Sequence, residues 1–261
     1  MKNNFFKMIL RTTGLSILAA LIAGGSPAHA TDDVLRVATE GTYKPWSYKD
    51  TDGKLQGFDV DIANALCEEM HVKCEIMAQQ WDGIIPGLQA GRYDAIIASM
   101  SMTPARRKQV LFTNKYETTA SSFVARKGTI TDTSVGALKG KRIGVQRGSS
   151  QNSWLVNNGY DKTAALVLYD DTRQPELDLV SGRIDLMMLD KPTLVTDFLN
   201  TAQARDFGFV GEDIVVGNGN AIAVRLADTA LCDRLNKALA TIIANGTYAR
   251  INKKYFPFPL L

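Results

Sequence analysis

The sequence predicts an α/β protein built from two similar halves, and three observations carry that expectation. Short β-branched and apolar runs alternate with helix-patterned segments throughout the chain beyond residue 30. The string LQAGRYD at residues 88–94 returns as LVSGRID at 179–185, each ending a helix at glycine before an apolar strand. A second echo follows in the same order: Arg36-Val37 leading to Glu40-Gly41-Thr42, and Arg142-Ile143 leading to Arg147-Gly148-Ser149. Strand, glycine and hydroxyl residue suit a turn into a helix N-terminus.

Each element has a local reason. Residues 34–39 read as a first strand, and 57–70 as a helix with Phe58, Ile62, Leu66 and Met70 on one face. Asp59 and Asp61 favour the positive end of that helix. Residues 72–78 form a second strand, 81–89 a helix that tolerates Pro86 and stops at Gly91, and 93–99 a buried strand. Thr103-Pro104 predicts a capped helix start with proline in the first turn. Strands follow at 141–146, 166–169, 184–189 and 221–225, then an amphipathic helix at 228–244 and a short one at 246–255.

Composition narrows the function. Lys2, Lys7 and Arg11 account for the whole excess of 30 basic over 27 acidic residues. The remaining chain is formally neutral, with no electrostatic footprint for nucleic acid or anionic lipid. The basic start precedes the apolar run GLSILAALIA and then Ala28-His29-Ala30, the pattern of a secretory leader over residues 1–30 cleaved after Ala30. The run is too short to span a bilayer. Beyond the leader only His71 remains, so histidine catalysis and His-rich metal sites have little support.

Cys67 and Cys74 lie at one helix end, and an oxidising compartment permits a bond between them. Closing so small a loop is worth about 2.5 kcal/mol in the chain-entropy model. A metal held by Cys67, His71 and Cys74 is the rival, but it lacks a fourth ligand. Cys232 sits in an apolar helix pattern and reads as a small buried hydrophobe.

In open α/β sheets ligands bind beyond the carboxyl ends of the strands. Those ends carry Glu40 and Tyr43, then Ser99, Ser101 and Thr103, then Gly148, Ser149 and Ser150, then Asp190. Arg106 stands on the first turn of the helix opened by Thr103. The inventory holds neither a nucleophile–base pair nor a phosphate loop. It suits a zwitterion: a guanidinium grips a carboxylate, an aspartate holds an ammonium, and hydroxyls complete the bonds. Each charge-assisted bond contributes about 1.5–3 kcal/mol. Blander readings compete. Arg106 lies in a basic run that could be a solvated helix face, Asp190 could cap a helix, and Tyr43 and Trp81 could be core or rim.

At these residues the chain resembles the periplasmic solute-binding proteins of polar amino-acid ABC importers, particularly the lysine/arginine/ornithine, arginine and histidine binders. The likeness rests on ATEGTY at 38–43, GFDVD at 57–61, Trp81-Asp82 before Ile85-Pro86, SMTPAR at 101–106, Gly144-Val145, GRID at 182–185 and GTY at 246–248. It implies a type II periplasmic binding fold with two lobes and a hinge of two crossing strands. Lobe one would span 31–117 and 219–261, lobe two 118–218, with hinges near 117–121 and 213–219. By the same likeness Arg106 grips the α-carboxylate, helped by Ser101 and Ser150. Asp190 holds the α-ammonium, with Ser99 and Ser101 nearby, and Glu40 faces a cationic side-chain tip. Tyr43 and Trp81 sandwich the ligand's side chain. Ala98 stands where several members have serine, and Cys67 and Cys74 match the family's disulfide. Arg147 departs from cationic-ligand binders; pointing into the cleft, it would favour a carboxylated ligand.

The implied function is a monomeric carrier without cofactor that captures a cationic L-amino acid, arginine first. It would deliver that ligand to an inner-membrane ABC permease. Opine binding is the alternative, since the ATEGxYxP string at 38–45 also resembles the opine-binding branch. An enzyme of the dehydratase type on the same scaffold and a sensory ligand-binding domain are the rivals from other classes. No obvious acid–base pair supports the first. The second needs a membrane span and a signalling module.

Overall fold

The computed structural model describes residues 33–261; the leader read at 1–30, with its cleavage after Ala30, lies outside them. In chain order come β1 (Val34–Thr39), a small hairpin layer of β2 (Thr42–Tyr43), β3 (Ser47–Lys49) and β4 (Leu55–Gln56), helix α1 (Phe58–Glu69), and β5 (Lys73–Ala78). A 3-10 turn at Trp81–Gly83 leads into α2 (Ile84–Gln89), followed by β6 (Ala95–Ile96), α3 (Pro104–Arg107), β7 (Leu111–Glu117) and β8 (Ser121–Arg126). Next are β9 (Arg142–Gln146), α4 (Ser150–Asn157), β10 (Ala165–Tyr169), α5 (Gln174–Val180), β11 (Leu186–Asp190) and α6 (Lys191–Thr193). The chain closes with β12 (Phe207–Ile214), β13 (Asn220–Val224), α7 (Thr229–Ala244) and α8 (Thr247–Tyr255).

These strands form two five-stranded sheets of one pattern, ordered β5-β1-β6-β13-β7 and β10-β9-β11-β8-β12. In each, the first three strands are parallel and the fourth runs antiparallel to both its neighbours. The fourth place is filled from across the molecule in sequence, by β13 in sheet one and β8 in sheet two. The chain passes between sheets along Thr118–Ala120 and returns along 215–219, so two connections join them. The expected two-lobe α/β fold is therefore present.

Alternation along each strand loads both sheet faces with apolar side chains, as buried parallel strands require. In β6 and its extension, Ala95 and Ile97 join a core with Trp46, Phe58 and Leu239, whereas Ile96 and Ala98 join Ile84 and Leu88 on the other face. Sheet two repeats this: Leu186 and Met188 pack with Leu155, Met187 and Leu189 with Phe198. The internal echo has a structural counterpart. Arg36 grips Asp94 through Nε and Nη2 at 3.0 and 2.8 Å, and Arg142 grips Asp185 through the same atoms at 3.0 and 2.9 Å.

Cys67 and Cys74 form a disulfide that ties α1 to β5. Cys232 is buried and free. The strand expected over 93–99 pairs only at Ala95–Ile96, because Ser99 turns the backbone to φ +44°. Six strands are not predicted by the sequence pattern: β2, β3 and β4 of the small layer, and β7, β8 and β12 of the large sheets.

Candidate ligand cleft

The carboxyl ends of β1, β6, β9 and β11 bring the polar residues named above to the junction of the two sheets. Glu40 follows β1 and is 5% exposed. Gly41, at φ +80°, lets the chain turn; a Cβ there would stand 2.9 Å from the Ala78 side chain. Gln146, at the end of β9, donates to Glu40 Oε1 at 2.5 Å, and Thr42 donates to the same oxygen at 3.3 Å. Glu40 Oε2 is buried without a partner. Loss of hydration pushes this carboxyl up to about 7, against the pull of the two donors.

Arg106 comes from the short helix α3, whose N-cap Thr103 accepts from the Arg106 backbone N–H. Its side chain is buried. Nη1 donates to the Ser101 carbonyl at 3.0 Å, and Nη2 donates to the Gly148 carbonyl at 3.2 Å across the junction. The Trp81 ring lies against the guanidinium, 4.9 Å from its centroid to Cζ. Burial lowers Arg106 to about 10, opposed by the field of Asp190, so it stays cationic at neutral pH. A basic run is here no solvated face: Arg106 is 7% exposed, whereas Arg107 beside it is exposed.

Asp190 ends β11 and is buried. Although it stands at the N-cap position of α6, its side chain caps nothing. Its Oδ1 accepts from Ser121 Oγ at 3.1 Å and Gln151 Nε2 at 3.0 Å, and its Oδ2 from the Tyr43 hydroxyl. Burial raises this carboxyl, while those donors and Arg106 oppose the rise. Ser149 caps α4 by accepting from Asn152 N–H, and Ser150 Oγ meets Ser101 Oγ at 3.1 Å. Five hydrogen-bonded pairs thus cross the junction: Glu40–Gln146, Tyr43–Asp190, Ser101–Ser150, Arg106–Gly148 and Thr42–Thr172.

Two expected residues sit differently. The Ala98 methyl is buried in the core with Ile84 and Leu88. The Ser99 hydroxyl donates to Asp59 Oδ2 at 3.2 Å, and its N–H donates to the Tyr116 hydroxyl at 2.9 Å. Tyr116 in turn donates to Asp59 Oδ1 at 2.6 Å. This buried triangle holds the left-handed turn at Ser99 that delivers Ser101. Asp59 is more than a partner for the helix dipole: burial pushes its carboxyl up to about 7, against the donors that favour its charge. Arg147 lies at the rim, half exposed, with Nε 3.5 Å from both Asp82 and Asp170.

Gln146, Gln151, Thr42, Thr172, Ser121 and Asp59 were missed from sequence. Gln146 had a signal, since it ends a strand as Glu40 follows one. Gln151 follows Ser150 in a helix first turn. Asp59 was marked only as a residue of the first turn of α1, and nothing local marks Thr172.

Two joined α/β sheets with buried groups of both signs at their junction are the arrangement of a two-lobe periplasmic binding fold. Comparison with known sequences agrees: residues 35–258 match the model of bacterial extracellular solute-binding proteins, family 3, and the chain belongs to that family. It is 39% identical over 250 residues to the L-arginine-binding protein of Pseudomonas aeruginosa, covering 94% of this chain and 96% of that one. It is 35% identical to the lysine/arginine/ornithine-binding periplasmic protein of Escherichia coli, over 94% and 95% of the two chains. Among solved structures, an ancestral arginine-binding protein bound to arginine superposes with a TM-score of 0.80 at 35% identity, covering 85% of this chain and 98% of that one.

Proposed function

We propose that this chain is a periplasmic carrier that captures a cationic L-amino acid, arginine first and then ornithine, lysine or histidine, and delivers it to an inner-membrane ABC permease. The observation that carries the reading is a buried pair of opposite sign, Arg106 from one sheet and Asp190 from the other, with a second buried carboxyl at Glu40. Arg106 receives the α-carboxylate with Ser101 and Ser150, and Asp190 receives the α-ammonium in place of the Tyr43 hydroxyl. Glu40 takes the side-chain cation, while Tyr43 and Trp81 cover the aliphatic stem. Lobe one (31–117 and 219–261) and lobe two (118–218) close on the ligand by bending at the two connections. The mature monomer follows cleavage after Ala30, and it binds without turnover.

The opine alternative loses its best support in Arg147. That guanidinium pairs with Asp82 and Asp170 at the rim and supplies no further carboxylate anchor inside. Calorimetry tests the reading. Arginine is expected to bind at roughly micromolar or tighter, near −8 kcal/mol. Absence of saturable heat with arginine, lysine, ornithine and histidine would overturn it.

A further inference from the structure

The cleft holds more buried acid than base. Arg106 is its one buried cation among the described residues, set against Glu40 and Asp190, with Asp59 and Glu117 buried behind them. The field of Asp190 acts on Arg106, whereas Glu40 has neutral hydrogen-bond partners only, Gln146 and Thr42, and one oxygen unpartnered. An isolated buried carboxylate is expensive and is relieved by holding a proton. We infer that capture of a cationic amino acid drives a proton off the Glu40 carboxyl into bulk water, whereas capture of a neutral amino acid does not. The inference rests on the ligand reading above.

The surroundings of Glu40 leave it no cation of its own. Asp171, in the loop after β10, is the charged neighbour that acts on it, and it opposes ionisation. Tyr43 lies beside it and shares its field. A cavity of about 740 Å3, whose wall includes Glu40, carries Lys44, Lys49 and Arg173 together with Asp50 and Asp197. None of these forms an ion pair with Glu40, and the mixed signs largely offset one another. When a guanidinium or ammonium arrives, the carboxyl O–H bond breaks, the proton passes to solvent, and the carboxylate pairs with the ligand. The charge of the complex then balances: two site carboxylates and the ligand carboxylate face Arg106, the α-ammonium and the side-chain cation. Glu40 therefore sets preference between cationic and neutral side chains, and this preference fades in acid.

With Glu40 at about 7 in the free protein, arginine binding should release about half a proton at pH 7 and about nine-tenths at pH 6. Titration of arginine in phosphate and in imidazole, which both buffer near neutrality and whose ionisation heats differ, reads this as the slope of observed heat against buffer heat. Between pH 7.5 and 5.5 the affinity should fall roughly 25-fold from this group alone. Glu40→Gln should lose the Glu40 share of the release and its pH dependence. If that variant binds too weakly to titrate, the side-chain carboxyl 13C resonance of Glu40 decides. It should titrate near neutrality in the free protein and remain ionised to about pH 5 when arginine saturates the site. Binding with no buffer dependence at pH 6, an unaltered release in Glu40→Gln, or a Glu40 resonance already ionised at pH 6 without ligand overturns the inference alone. Absence of arginine binding in every buffer overturns the ligand reading as well.

Discussion

Arg36 opens the first sheet and Arg142 the second, and each guanidinium closes on the aspartate of a G-R-x-D turn with nearly the same bond lengths. The backbone amide of each arginine also donates to that aspartate, at 3.1 and 2.8 Å. The two halves diverge at the far ends of the same strands. Beyond β1 the chain places Glu40, buried and without a counter-charge. Beyond β9, one residue past Gln146, it places Arg147 at the rim between Asp82 and Asp170. The scaffold end of each strand is common to both halves, and the ligand end is particular to each. A duplicated frame can thus carry an asymmetric junction, with buried Arg106 on one side and buried Asp190 on the other.

Four substitutions sharpen this contrast, starting with the one of largest effect. At the ligand end, Arg106→Ala should weaken arginine binding by at least about a thousandfold, because it leaves a carboxylate buried without its charged partner. Arg107→Ala, on the exposed side of the same turn, should change affinity less than about twofold. Calorimetry of both variants checks the pair, and equal losses would show that the anchor is misplaced. At the scaffold end, Asp94→Ala should cost about 2 kcal/mol of stability, discounted for the partly exposed arginines it holds. Asp185→Ala should cost about half as much, because Asp94 also receives Arg225. Thermal unfolding should rank the two in that order; a larger loss at Asp185 would break the comparison.

The smallest effect concerns Asp59, behind the site. Its folded pKa of about 7 lies above the ordinary carboxylate value, so the folded state holds more protons than the unfolded state between about pH 4 and 7. Its contribution is fully present below that window and is lost as pH rises through about 7. Glu40 and Glu176 act in the same direction. Asp59→Asn removes one such ionisation, so the melting temperature of the variant should gain on that of wild type between pH 5 and 8. A constant difference across that range would exclude ionisation of Asp59 as a cost to folding.

Much of this architecture was legible in the sequence. Helix α1 announced itself by apolar spacing, α3 by Thr103-Pro104, and the shared plan of the sheets by two repeated strings. Three of the four strands that carry the chain between the sheets, β7, β8 and β12, were not legible. In β7 exposed Asn114 and Lys115 interrupt the alternation, and its pairing with β13 slips register. Strand β12 is an edge with a positive φ at Gly211 and a register shift between Val210 and Ile214. The strand forecast over 93–99 stopped early because Tyr116 and Asp59 stabilise a left-handed serine, an effect of residues far away in sequence. Strand ends pointed to Arg106, Glu40 and Asp190. That Tyr43 meets Asp190 across 147 positions is a product of tertiary closure, and no local pattern encodes it.

Strand β13 has a consequence for how the molecule is made. It fills the gap between β6 and β7, yet it lies more than a hundred residues after both. A nascent chain that has emerged only as far as β12 therefore has β7 detached and its first lobe incomplete. Such distant pairing makes folding slow. Delayed folding of this kind is what threading through an export channel would demand of a passenger.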